Sequence, residues 1–182
     1  MILFRRVGRT RPATPSPRSQ AMDILDQAID FEYRGNKFYA EHAAKATHPA
    51  VKAILSDLAA DELRHADFLK QIKAGAAREF KPTQSFHHIR DVIQQTVMNN
   101  LNFLSDEVGI QDVLIAALAF EDKARRHYES EAFKVYDAEV QGLLKRLARE
   151  EQRHYNLIDS LLKFIDNPKN ILETQEFQHY DE

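Results

Sequence analysis

Cysteine does not occur in this 182-residue chain. Its absence excludes disulfides, thiolate catalysis and any cysteine-held zinc or iron–sulfur site. Any bound metal must therefore be held by carboxylate and imidazole, donors that suit iron, manganese or zinc. Glycine and proline are scarce, at five and six residues, which favours a few long helices over many short strands. No apolar run approaches the ~18 residues that a bilayer span requires. A net charge of −3 offers no attraction to nucleic acid or to an acidic membrane surface, so neither is expected as a partner. With no secretory signal to read, we expect a cytoplasmic protein.

The length that remains suits one domain with a sizeable core. Residues 1–21 differ from the rest: Arg5, Arg6, Arg9, Arg11 and Arg18 occur there with no acid, among Pro12, Pro15 and Pro17. Such a stretch buries too little apolar area to order itself, and the apolar Met1–Phe4 is too short for a secretory signal. We expect a disordered or mis-assigned extension, with residues 22–182 forming the domain and its C-terminal tail.

Helical periodicity runs from Met22 to about Thr47, where His48-Pro49 breaks it. A second helix is expected over about Pro49–Ala74, with Pro49 in its first turn and Gly75 as its stop. Residues 76–84 read as loop, and Ser85 caps a shorter connecting helix through about Leu104. Two more long helices follow, Ile110–Val135 and Ala138–Asp166, the last ended by Asn167-Pro168. Ile171, Leu172, Phe177 and Tyr180 are expected to dock the tail on the bundle.

The chain also repeats itself. Phe31-Glu32 through Tyr39 to Ala43 matches Phe120-Glu121 through Tyr128 to Ala132, and Leu58-Ala59 through Glu62, Arg64 and His65 matches Leu147-Ala148 through Glu151, Arg153 and His154. A single offset of 89 residues relates both segments and flanking apolar pairs such as Leu25/Leu114, Val51/Val140 and Leu55/Leu144. Two copies of a helical hairpin, joined by a long crossover through residues 76–109, are therefore expected.

In the second helix Leu55, Leu58, Glu62, His65, Leu69 and Ile72 alternate spacings of three and four. Leu144, Leu147, Glu151, His154, Ile158, Leu161 and Ile165 do so in the fourth. These are the inward stripes of bundle helices, and Glu and His interrupt both at their centres. Glu32 and Glu121 share faces with Ile29 and Leu118, so each long helix aims one Glu at the core at similar depth. A single such Glu is commonly an edge side chain, and a single core His a satisfied structural residue. Four together are different. An uncompensated buried charge costs about 3–5 kcal/mol, against a domain stability of about 5–15 kcal/mol. Proton sharing relieves part of that cost; two divalent cations would neutralise four carboxylates completely.

One Glu on each of two helices and a Glu-x-x-His on each of the other two resembles the ferritin-like di-metal carboxylate proteins. The internal order and the Glu-to-Tyr spacing resemble the rubrerythrin group within them, over about residues 22–166. That resemblance implies an all-α, ferritin-like four-helix bundle holding two irons, with manganese or zinc also compatible with the donors. It implies Glu32 and Glu121 as terminal ligands, Glu62 and Glu151 as bridges, and His65 and His154 each capping one metal. It also suggests that Tyr39 and Tyr128, two turns beyond the terminal glutamates, donate hydrogen bonds to ligand carboxylates; the other reading is ordinary core aromatics. Gly35 and Ala124 are small and leave room for an oxidant.

Two departures from the rubrerythrin pattern stand out. No Cys-rich rubredoxin module is present, so electrons would come from an external donor such as a rubredoxin-like protein or a flavin. Ala124 stands where rubrerythrins tend to carry a further Glu, which argues against a mechanism in which an iron moves to that carboxylate. The resemblance implies a homodimeric oxidoreductase that reduces hydrogen peroxide, with O₂ the other candidate oxidant. Alternatives are a ferroxidase or iron-handling protein and a non-catalytic bundle stabilised by metal. His87-His88 reads as an exposed pair without a role, and Asp57, Asp61 and Glu150 as solvated helix faces. Arg64 and Arg153 either pair with acids near the site or lie on the surface.

Overall fold

The computed structural model describes residues 16–76 and 85–167. Five helices follow one another: α1 (Pro17–Lys45), α2 (Pro49–Lys73), α3 (Ser85–Asn99), α4 (Ile110–Lys134) and α5 (Ala138–Asp166). Among the described residues there is no strand, as expected for an all-α fold. The hairpin repeat is visible in the helix ends themselves. Lys45 and Lys134 close α1 and α4, Pro49 and Ala138 open α2 and α5, and each pair is again 89 residues apart.

Local chemistry sets most of these ends. Ser16 caps α1 by accepting from the Ser19 amide at 3.2 Å, with proline in the first turn. The first helix therefore starts at Pro17, upstream of the expected Met22, and Ala21 and Ile24 are already buried. His48 Nδ1 accepts from the Ala50 amide at 3.2 Å and Asp137 accepts from the amides of Glu139 and Val140. Gly75, with φ of 73°, supplies the left-handed turn that follows α2.

The connecting helix is shorter than expected, ending at Asn99 rather than about Leu104. Asn100 explains the stop: its side-chain carbonyl accepts from the Asn102 amide at 2.9 Å, a local bond that competes with helix continuation. Phe103 and Leu104 are buried all the same, in turns instead of helix. The expected tail contacts of Ile171, Leu172, Phe177 and Tyr180, and most of the 76–84 loop, lie outside the described residues.

Within each hairpin the helices pack closely, α1 along α2 and α4 along α5, while the hairpins meet at wider spacing. Phe31, Phe38 and Phe120 fill the α1–α4 seam, with ring centroids 4.9 Å apart for Phe31–Phe120 and 6.1 Å for Phe38–Phe120. Two apolar clusters result. One joins the C-terminal halves of α1 and α5 to the N-terminal halves of α2 and α4, α3 and the turns after it; the other gathers the opposite halves of the four long helices. This distribution makes α2 and α4 run in the same direction. The link between them must therefore traverse the bundle, the single long crossover of ferritin-like folds. Between the two clusters lies one polar layer.

Candidate metal centre

That layer contains Glu32, Glu62, His65, Glu121, Glu151 and His154, all buried. The helices bring them together in two overlapping groups. Glu32, Glu62, His65 and Glu151 each offer a donor atom within 4.8 Å of the others, and so do Glu62, Glu121, Glu151 and His154. Glu62 and Glu151 belong to both groups; each of the other four belongs to one. Both histidines turn Nδ1 inward. His65 Nδ1 lies 3.4 Å from Glu32 Oε2 and 3.4 Å from Glu151 Oε1. His154 Nδ1 lies 3.1 Å from Glu62 Oε1, 3.5 Å from Glu151 Oε2 and 3.7 Å from Glu121 Oε1.

Whether these residues fit metal ions can be judged from their unused capacity. Glu32 Oε2, Glu62 Oε1, Glu121 Oε2, both Glu151 oxygens and His154 Nδ1 are buried and make no hydrogen bond. Native interiors leave only a few such atoms per hundred residues without a partner, and scattered ones. Here six from five residues converge on one volume. Carboxylate oxygens and imidazole nitrogens in that arrangement match the donor preferences of divalent first-row metals. The residues fit.

Without metal, protons must compensate the clustered charge. Burial, followed by the charges of Glu151, Glu121 and Glu32, raises the Glu62 pKa well above the usual carboxylate range. Burial likewise pushes Glu121 up to about 8, against the lowering influence of His154. His65 is drawn down by burial, but Glu32 and Glu151 outweigh this and raise it strongly. His154 behaves the same way, with Glu121 as its main raising partner. For Glu151 burial acts upward, yet the close approach and charge of His154 and His65 hold its pKa far below normal. Protonated imidazoles flanking an ionised Glu151 are thus the metal-free compromise.

Both tyrosines reach across the hairpins. Tyr39 of α1 donates its hydroxyl to Glu121 Oε1 of α4, and Tyr128 of α4 donates to Glu32 Oε1 of α1. Of the two readings of these residues, carboxylate partners rather than plain core aromatics, the structure shows the first. Burial, then nearby carboxylates, raise both phenol pKa values well above normal, so each hydroxyl keeps the proton it donates. Gly35 lies against the layer as well: a Cβ there would meet Glu62 Oε2 at 2.6 Å and the Phe120 ring at 2.9 Å. Its lack of a side chain leaves the space that the Glu62 carboxylate and Phe120 occupy.

The solvated-face reading does not hold for Asp61 and Glu150, whereas Asp57 remains partly exposed. Asp61 is completely buried and Glu150 nearly so. Asp61 pairs with Arg64, Glu150 pairs with Arg153 at 2.9 Å, and Asp57 pairs with His88 of α3 at 2.5 Å. These positions lie beside the inward stripe, so periodicity alone assigns them outward. A usable signal was present nonetheless: an acid three residues before a matched arginine recurs at the same 89-residue offset. His87 lies by Arg90, 3.3 Å from its Nη2, and takes no part in the cluster.

A helical bundle with one long crossover, whose core layer is four carboxylates and two imidazoles, defines the class of ferritin-like carboxylate proteins. Comparison with protein families makes the assignment specific: the rubrerythrin family model matches residues 23–162. The chain belongs to the rubrerythrin family. No match was found among curated proteins or among solved structures.

Proposed function

We propose that this protein is a di-iron oxidoreductase that reduces hydrogen peroxide with electrons from an external donor. One observation carries the reading: two four-residue donor groups share Glu62 and Glu151, so both carboxylates would help to hold each of two ions. Glu32 and His65 would complete one position, and Glu121 and His154 the other. Irons held there would supply the two electrons that, with two protons, convert hydrogen peroxide to two waters, and the external donor would restore those electrons.

The chain's own residues set the conditions for that chemistry. All six side chains are buried, which favours a small uncharged oxidant over a bulky or ionic substrate. A cavity of about 530 Å³ lies at one end of the bundle near Met22, Ile72 and Tyr136, and none of the six cluster residues lines it. Tyr39 and Tyr128 orient Glu121 and Glu32 by donating to one oxygen each, leaving the other oxygen for an ion. In this reading a rubredoxin-like or flavin partner supplies the electrons. The family resemblance further suggests that the protein works as a homodimer.

Among the described residues no helix is long and apolar enough to cross a membrane. The test is stopped-flow absorbance of protein loaded anaerobically with two equivalents of iron, then mixed separately with hydrogen peroxide and O₂. Fast oxidation by peroxide, slow oxidation by O₂ and both irons retained per chain is the expected result. Rapid O₂ consumption with iron released or mineralised would identify iron handling instead. Stable metal binding without reaction toward either oxidant would leave a structural bundle.

A further inference from the structure

The crossover does more than connect the hairpins. At its start, Ser85 Oγ donates to Asp61 Oδ2, and Arg64 Nη2 donates to Ser85 Oγ at 2.8 Å. Arg64 also pairs directly with Asp61, which closes a three-membered ring of side chains. The same Asp61 Oδ2 lies 3.4 Å from His154 Nε2, the outward nitrogen of that imidazole. Next to Ser85, the Phe86 ring packs against the His154 ring with centroids 5.9 Å apart. The first two residues of α3 thus approach His154 from outside the four-helix layer, Phe86 directly and Ser85 through Asp61.

A fully buried carboxylate is costly unless its lone pairs are satisfied. Asp61 meets that cost with a guanidinium, a hydroxyl and an imidazole N–H, and only the last of these leads to the cluster. A neutral imidazole, the form that binds metal, presents Nδ1 as its lone-pair nitrogen when it donates Nε2–H, and His154 Nδ1 is the atom that faces Glu62, Glu121 and Glu151. Outward carboxylates of this kind orient metal-binding imidazoles and raise their basicity.

We propose that Asp61, held by Ser85 and Arg64, is a positioning residue for His154, so that the crossover helix helps to set the metal position that His154 caps. This inference rests on the metal reading above, but it can fail separately. Cobalt(II) is a suitable probe because binding is visible in absorbance and shifts the N–H resonances of ligand imidazoles. Wild-type protein is expected to take up two ions per chain and to show a slowly exchanging, shifted N–H from His154, assigned by its loss in His154→Gln.

Asp61→Ala should weaken one of the two positions about 10–100-fold, leave the other within a small factor, and make that N–H exchange rapidly. Asp61→Asn, whose amide oxygen can still accept from Nε2–H, should restore most of the affinity. Ser85→Ala should produce a smaller loss at the same position and serves if Asp61→Ala does not fold. Wild-type chain taking up no cobalt would overturn the metal reading itself. Two ions bound with unchanged constants and an unchanged N–H in the Asp61 and Ser85 variants would overturn this inference alone. Equal weakening of both positions would also overturn it, since that is the mark of a purely structural ion pair.

Discussion

The two hairpins share their layout but not their surroundings. α1–α2 and α4–α5 start, turn and end in the same register, and each contributes one Glu, one Glu-x-x-His and one tyrosine that crosses to the other hairpin. Among the matched positions that differ, two bear on the site. Gly35 touches the Glu62 carboxylate where its counterpart is Ala124. Asp61 engages α3 and His154, whereas its counterpart Glu150 pairs with Arg153 and has its second oxygen buried without a hydrogen bond. Duplication thus produces a matched set of donors, and the unduplicated crossover makes their settings unequal.

The largest test of that comparison removes the shared carboxylates. Glu62→Ala or Glu151→Ala should reduce bound metal from two ions per chain to nearly none, because each side chain belongs to both donor groups. Glu32→Ala or Glu121→Ala should remove only one ion. Metal analysis after desalting distinguishes the cases, and equal losses across all four variants would refute the shared-carboxylate arrangement.

A pH series comes next. Between the ordinary carboxylate value of 4.5 and about 8, the metal-free native state keeps a proton on Glu121 that the unfolded chain has lost. Glu62 is raised in the same sense. His65 and His154, also raised, stabilise the fold below their unfolded pKa near 6.5 and lose that contribution as pH climbs through their native values. Glu151 acts oppositely, but only as pH drops below about 4.5. Stability of the metal-free protein should therefore fall from pH 5.5 to 8.5, by something on the order of a few kcal/mol. Metal binding displaces these protons, so the loaded protein should gain stability relative to the metal-free form over the same range. Urea unfolding at each pH would show it; a flat metal-free profile would contradict the proton-compensated cluster.

The smallest expected effects come from exchanging the two small residues. Gly35→Ala adds a methyl 2.6 Å from Glu62 Oε2, an overpacking that costs about 1–3 kcal/mol and is partly offset by about 0.5–1 kcal/mol of helix preference. Its signature should be weaker binding of both metals, since Glu62 serves both groups. Ala124→Gly should cost about 1 kcal/mol with metal affinity unchanged. Thermal melts and cobalt titrations of the pair would sharpen the contrast between the hairpins, and identical metal affinities would remove it.

Much of this molecule is legible along the chain because the signals are local. The stripe from Leu55 to Ile72 and that from Leu144 to Ile165 place Glu62, His65, Glu151 and His154 inward, and α5 has the bounds read from the sequence. One miss occurs where a non-neighbouring segment intervenes, and another where a side chain competes locally with the backbone. Asp61 is off the stripe and would be solvated on an isolated hairpin, but α3 covers it. The connecting helix stops early because an asparagine side chain outcompetes the backbone, a preference that apolar periodicity does not register.

The sequence by itself determined the helices, their duplication and which six donor residues face inward, because helical period and turn chemistry act over a few residues. Only the tertiary structure decided that Tyr39 serves Glu121 and Tyr128 serves Glu32, and that a crossover serine and a buried aspartate stand behind His154. Those pairings depend on how helices distant in sequence are spaced and rotated against one another, and the packing of the whole bundle sets that geometry.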